Sequence, residues 1–324
     1  MKAITFEQPG QPEEVLRVAE LPKPEPKPGE VRIRVQLCPV HPADLMFIQN
    51  LYGIRPVLPS PAGFEGVGVI DAVADGVPLK PGTRVSFTSV GAWAEYAVTP
   101  AHAVIPVPDA MPDELAAQLF VNPFTAYAMV RESGVRPGEW LMLTAAGSAF
   151  GKMVIQLCKM EGIRTIATVR RDDLAEELKT LGAEVVINTE TESMTRRVME
   201  LTDNKGVPCV LEAVAGKMAA SALNCLRTNG KMLVYGALSL DNIPVNAGIL
   251  IFKSLTMKGF WLTHWTRHTD PAVVHEAAQK LIGLLSSGQI QLPVEAQYPL
   301  DEIHKAVAHA AAPGRHGKVM VKCH

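Results

Sequence analysis

The chain has 324 residues, more than one hydrophobic core usually holds, so two domains are expected. Its formal net charge is −2 and no block of five or six like charges interrupts it, which argues against a nucleic-acid partner and for a small molecule. Hydrophobic residues make up 48%, yet their runs fall well short of the ~20 apolar residues of a membrane span, and MKAITFEQPGQPEE has no apolar export segment, so the cytoplasm is the expected location.

Roughly the first 115 residues read as a β-rich module. VRIRVQLC follows PKPEPKPGE, then come GVGVIDAV, TRVSF and WAEYAV, each bounded by Gly, Pro or Asp, with PADLMFIQ as a short helix carrying Pro42 in its first turn. Tyr52 lies in a Gly- and Pro-punctuated loop, LMFIQNLYGIRPVLPSPAGFEGVG, where a phenol can give a proton. From Trp140 short apolar runs alternate with helical patterns: WLMLTA, RTIATV, EVVIN, VPCVLEAV and KMLVYG. Runs apolar on both faces suit buried parallel strands, so a βαβ series and a doubly wound sheet are expected. SLTMKGF is a further strand at the sheet edge. A helix from about Pro271 to Ser287, the strands VEAQYPL and GKVMVK and the helix DEIHKAVAHAAA are too little sheet to stand alone. They are expected to pack on the N-terminal module, with the nucleotide domain inserted. The five cysteines are scattered without a C-x-x-C pair, and most are read as small buried apolar residues.

TAAGSAFGKMVIQLCKMEG reads as strand, small-residue turn and helix start, the order of a dinucleotide site. Backbone N–H groups at such a helix start bind pyrophosphate, which makes Gly147, Ser148, Ala149, Phe150 and Gly151 candidates. Against G-x-G-x-x-G, only Gly151 of Ala146–Gly151 keeps its glycine in register. The next strand ends on Arg170 and Arg171, whose guanidinium groups suit a 2′-phosphate, so NADPH is expected over NADH. Asp172 competes as the acid for a ribose hydroxyl. Asp172 or Asp173 is expected instead to cap the helix DLAEELKTLG. Tyr235, next to last in KMLVYG, and Lys318, second in GKVMVK, complete the cofactor candidates.

The segments NLYGIRPVLPSPAGFEGVG, FVNPFTAYAMV, GSAFGKMVIQL and LIFKSLTMKGFWLTHW resemble the medium-chain dehydrogenase/reductases over the full length. The similarity is greatest to the zinc-free 2-enoyl thioester reductases and the related quinone oxidoreductases. It implies an α/β chain with a GroES-like β-rich catalytic domain from residues 1–118 and 262–324, and a doubly wound Rossmann domain from 119–261. NADPH and a homodimer formed through edge strands of the Rossmann sheets are also implied. So are Tyr52 as the acid, Asn122, Pro123 and Thr125 beside the nicotinamide, and Phe260, Trp261 and Leu262 along the cofactor. One departure is His41, where that branch often carries Asn.

Zinc alcohol dehydrogenases of this superfamily carry Cys before Asp, His before Glu and a later Cys. Here His41 precedes Asp44, Phe64 precedes Glu65 and Val121 takes the third place. Phe64 and Val121 cannot ligate, so no catalytic metal is expected. Reduction of an activated double bond needs only hydride and proton donors. The leading expectation is NADPH-dependent reduction of a 2-enoyl thioester, hydride to Cβ and proton from Tyr52 to Cα. NADPH:quinone or general enone reduction is the alternative, and a non-catalytic NADPH-binding protein the third reading.

Overall fold

A computed structural model describes residues 1–324, which form two compact units, Met1–Val121 with Lys280–His324, and Asn122–Gln279. The units change at Val121/Asn122 and within the helix Pro271–Ser286, whereas the expected borders were 118/119 and 261/262. The helix Leu262–His268 and the start of the next one follow the last strand of the inserted sheet and group with it.

The first unit opens with β1 (Lys2–Phe6), β2 (Arg17–Glu20), β3 (Glu30–Pro39), β4 (Ser60–Pro61), β5 (Glu65–Val73), β6 (Arg84–Thr88), β7 (Tyr96–Pro100) and β8 (Val104–Pro106). The inserted unit supplies β9 (Trp140–Leu143), β10 (Arg164–Val169), β11 (Val185–Asn188), β12 (Val207–Glu212), β13 (Leu226–Val234) and β14 (Thr256–Gly259). The chain then returns with β15 (Val294–Pro299) and β16 (Lys318–Lys322). The short helix begins at Pro42, as its fixed φ favours, and runs to Ile48.

Strand β3 organises the first unit. It pairs with β5, β7 and β16, inside a sheet ordered β15-β16-β3-β5-β6-β8. The returning tail therefore joins this sheet, Val321 standing opposite Cys38 in an antiparallel ladder. Alternate residues of β3, Val31, Ile33 and Val35, are fully buried and meet Phe6, Phe47, Phe87, Trp93 and Val319 in one core. Each such side chain contributes roughly 1.5–3 kcal/mol by leaving water. The Trp93 indole N–H donates to the Pro39 carbonyl at 3.2 Å, so no polar group is stranded there.

In the second unit all six strands are parallel, ordered β11-β10-β9-β12-β13-β14. Counted from β9 this is 3-2-1-4-5-6, the doubly wound Rossmann order. Strand β14 pairs only with β13 and forms the sheet edge. All five cysteines are buried thiols, and burial pushes Cys209 up to about 12 and Cys225 up to about 11.

Gly68 lets β5 approach β3: a Cβ there would lie 2.3 Å from the Arg34 carbonyl oxygen. Gly68→Ala is expected to lower stability by about 1–3 kcal/mol through this overlap. An unchanged calorimetric melting temperature would show that the strands can separate without cost.

Candidate active site

Most cofactor candidates of the inserted unit follow the carboxyl ends of its parallel strands. After β9 the chain turns through Ala145 (φ +50°) and Ser148 caps the helix Ala149–Met160, its hydroxyl accepting from the Gly151 N–H at 3.0 Å. A Cβ on Gly151 would lie 2.5 Å from the Ala146 carbonyl oxygen, so only glycine permits this strand-to-helix approach. A Cβ on Gly147 would lie 2.6 Å from Leu174. The turn is thus a small-residue cradle at a helix start, the form that admits a pyrophosphate. Its neighbour across Gly147 is the loop after β10.

That loop carries Arg170 and Arg171, both exposed past the carboxyl end of β10. The expected cap by Asp172 or Asp173 is not formed. Asp172 to Leu174 make a 3-10 turn before the helix Ala175–Leu181, and neither start has a side-chain cap. Asp172 Oδ1 accepts from Asn188 Nδ2 at 2.8 Å, and Asp173 pairs with Arg171 at 3.2 Å. Partners outside the helix took both carboxylates.

Tyr235 follows β13, and its ring meets Phe150 with centroids 4.2 Å apart. Its hydroxyl is buried without a hydrogen-bond partner, which raises its pKa. Phe260 is buried next to the β13 end, its N–H donating to Val234 O at 2.7 Å, while Trp261 and Leu262 lead into the next helix. Asn122 and Thr125 are half-buried where a π-helical turn, Phe120–Phe124, passes into the helix Thr125–Ser133. Sequence reasoning missed Glu212 at the end of β12. Its carboxylate is fully buried and accepts from Val214 N (2.7 Å), Ala215 N (3.0 Å) and the Thr144 hydroxyl (3.2 Å). It braces Ala215 at φ +69° and joins the ends of β9 and β12. A lone acid closing an apolar strand was the available signal.

Tyr52 and Lys318 belong to the other unit. The Tyr52 ring packs on Phe64 at 5.3 Å, and Phe64 on Phe47 at 5.1 Å, so core aromatics steady the loop that carries the phenol. Beside Phe64 lies a buried polar group that sequence spacing did not reveal. Lys318 Nζ donates to His41 Nδ1 at 3.1 Å, and His41 Nε2 meets Glu65 Oε1 at 2.7 Å. An ammonium donating to Nδ1 leaves the proton on Nε2, so a neutral imidazole donates to Glu65. Glu65 also accepts from the Val121 N–H at 2.6 Å and from Phe120. Asp44 accepts from the N–H groups of His41, at 2.7 Å, and Phe64, while its Oδ1 has no partner. Burial is the chief cause of every shift here: it raises Glu65, lowers His41 and Lys318, and pushes Asp44 up to about 8. Lys318 was expected to touch a cofactor; within its own unit its partners are His41, Glu65 and Asp44.

Residues 27–109 match the alcohol dehydrogenase GroES-like domain, and residues 149–280 match the family described as zinc-binding dehydrogenase. The chain is 34% identical to the human mitochondrial enoyl-[acyl-carrier-protein] reductase over 324 residues, covering 97% of this chain and 86% of that protein. Among solved structures, a candidate NADPH:quinone reductase from Bacillus thuringiensis superposes with a TM-score of 0.94 at 34% identity, covering 100% and 99% of the two chains. Escherichia coli quinone oxidoreductase, solved with NADPH, superposes with a TM-score of 0.93 at 28% identity, covering 99% and 100%.

The residues do not fit the zinc that one family description names. Phe64 and Val121 offer no donor atom, and His41 and Glu65 are engaged with each other, Lys318 and backbone N–H groups. No three His, Cys, Asp or Glu side chains converge as metal ligands, and no helix is long and apolar enough to cross a membrane.

Asp44 offers a direct check on the buried group. Its carboxyl holds a proton to about pH 8, whereas an unfolded chain releases it near pH 4. Its raised native pKa therefore stabilises the fold below about pH 4, and that contribution is lost as pH rises toward 8. Asn at this position keeps an acceptor oxygen and has no titrating proton. The melting temperature of Asp44→Asn relative to wild type is expected to climb between about pH 4 and 8 and then level. A difference that stays flat across this range would show an ordinary carboxyl.

Proposed function

We propose that this chain, which belongs to the zinc-free branch of the medium-chain dehydrogenase/reductase superfamily, is an NADPH-dependent oxidoreductase that reduces the carbon–carbon double bond of a 2-enoyl thioester. The observation that carries the substrate is Tyr52, a phenol held by Phe64 on a loop of the GroES-like unit, in a chain similar to enoyl-[acyl-carrier-protein] reductases. A cofactor is supported by the cradle at Gly147–Gly151, by the paired Arg170 and Arg171, and by the buried Tyr235 hydroxyl, which a ligand oxygen would satisfy.

When bound, NADPH supplies hydride to Cβ. The protein does the rest. The N–H groups of the helix start at Ala149 hold the pyrophosphate, and the guanidinium groups hold the 2′-phosphate. Asn122, Thr125 and the segment Phe260–Leu262 orient the nicotinamide end. Charge then grows on the thioester oxygen as an enolate forms, and Tyr52, a side-chain type with an ordinary pKa of about 10, gives its proton to Cα. His41, Glu65, Asp44 and Lys318 fix the backbone on either side of Phe64, and with it the ring against which Tyr52 packs.

Quinone reduction is the second reading, favoured by the match to the E. coli enzyme. It uses the same hydride step without a dedicated acid, since solvent can protonate a hydroquinone anion. The two readings separate on Tyr52→Phe, which removes only a hydroxyl. With an enoyl-CoA, kcat is expected to fall by on the order of 10² or more while NADPH affinity stays near wild type. Quinone turnover should change far less. Enoyl reduction within a few-fold of wild type would remove the acid role and leave the quinone reading.

A homodimer paired along β14 belongs to the same proposal. The adjoining helix Ala247–Lys253 exposes Ile251 (67%) and Phe252 (86%), apolar surface that a second copy would cover. Light scattering at micromolar concentration is expected to give a dimer for wild type and a shift to monomer for Phe252→Asp. A monomeric wild type would count against it.

A further inference from the structure

Strand β10 ends at Val169 and runs directly into Arg170, Arg171, Asp172 and Asp173, all exposed. Two cations followed by two carboxylates place opposing demands on one nucleotide position. A guanidinium favours a 2′-phosphate, whereas a carboxylate favours free ribose hydroxyls and repels the phosphate. The four charges cancel, so the preference depends on where each side chain is held.

Asp173 is loosely paired with Arg171, both groups being about half exposed (54% and 43%). Asp172 is held by a buried residue. Asn188 ends β11, opposite Val169 in the parallel ladder, and is only 7% exposed. Its Oδ1 accepts from the Glu190 N–H at 3.0 Å, which orients the amide and leaves Nδ2 to donate to Asp172 Oδ1 at 2.8 Å. Its own N–H donates to Glu192 Oε1 at 3.3 Å. Both ends of the side chain are therefore fixed before any nucleotide arrives.

We infer that Asn188 is a positioning residue for cofactor choice: by tethering Asp172 to the end of β11 it keeps that carboxylate off the ribose position and leaves the arginines to face a 2′-phosphate. The inference rests on the NADPH reading above. Released from Asn188, Asp172 would turn toward the ribose, accept from its hydroxyls and repel the phosphate.

Dissociation constants for NADPH and NADH, read by fluorescence or calorimetric titration without substrate, test the tether in wild type, Asn188→Ala, Asp172→Asn and the double variant, with thermal melts as a fold control. Asn188→Ala is expected to cut the NADPH-over-NADH preference on the order of tenfold, the scale of a hydrogen bond to a charged group. Asp172→Asn keeps an acceptor and removes the charge. In that background the same Asn188 substitution should move the preference by less than about twofold. An equal loss in both backgrounds would make Asn188 merely structural and overturn the inference, as would no loss in either. A wild type without NADPH preference overturns the cofactor reading on its own, and the shift between variants still decides the tether.

Discussion

One carboxylate, that of Glu65, ties together segments far apart in the chain. His41 at the start of a helix, the N–H groups of Phe120 and Val121, and through His41 the ammonium of Lys318 all converge on it. A buried acid of this kind is tolerated only when its oxygens find partners, because an unsatisfied polar group out of water costs free energy whichever protonation state it holds. The geometry of the loop around Phe64 and Tyr52 follows from that requirement. So does the way the C-terminal strand must enter the first sheet, since β16 delivers Lys318.

The inserted unit solves a different problem in a parallel way. Its strands are buried on both faces, so the residues free to meet a ligand are those just past the strand ends. Gly147–Gly151, Arg170, Tyr235 and Phe260 follow β9, β10, β13 and β14 and stand past their carboxyl ends for that reason. Glu212 and Thr144 then stiffen the ends of β9 and β12.

Much of this was legible in the sequence, and the limits have physical causes. RTIATV coincides with β10 and VRIRVQLC lies inside β3, because β-branched runs bounded by turns leave few alternatives. The edge position of SLTMKGF was legible too, from its place near the end of the inserted unit and from the family resemblance, and the return of the tail to the first sheet from how little sheet the tail could form alone. Pairings across long sequence separations were not. Nothing local to Lys318 says that it will meet His41, and nothing local to Asp172 says that Asn188 will outcompete its own helix for the carboxylate. The expected cap failed on that competition: a buried amide with a fixed orientation is a stronger claim on an acid than an exposed helix start.

The pairing of β16 with β3 has a consequence for synthesis. The inserted unit, Asn122–Gln279, is complete before the ribosome makes Lys318, so it can fold while the first unit still lacks β15 and β16. Until then Cys38 and Leu37 have no neighbour on one side, and His41 and Glu65 sit without their cation. Protease protection of stalled nascent chains should therefore arise first in the middle of the sequence and last at its beginning.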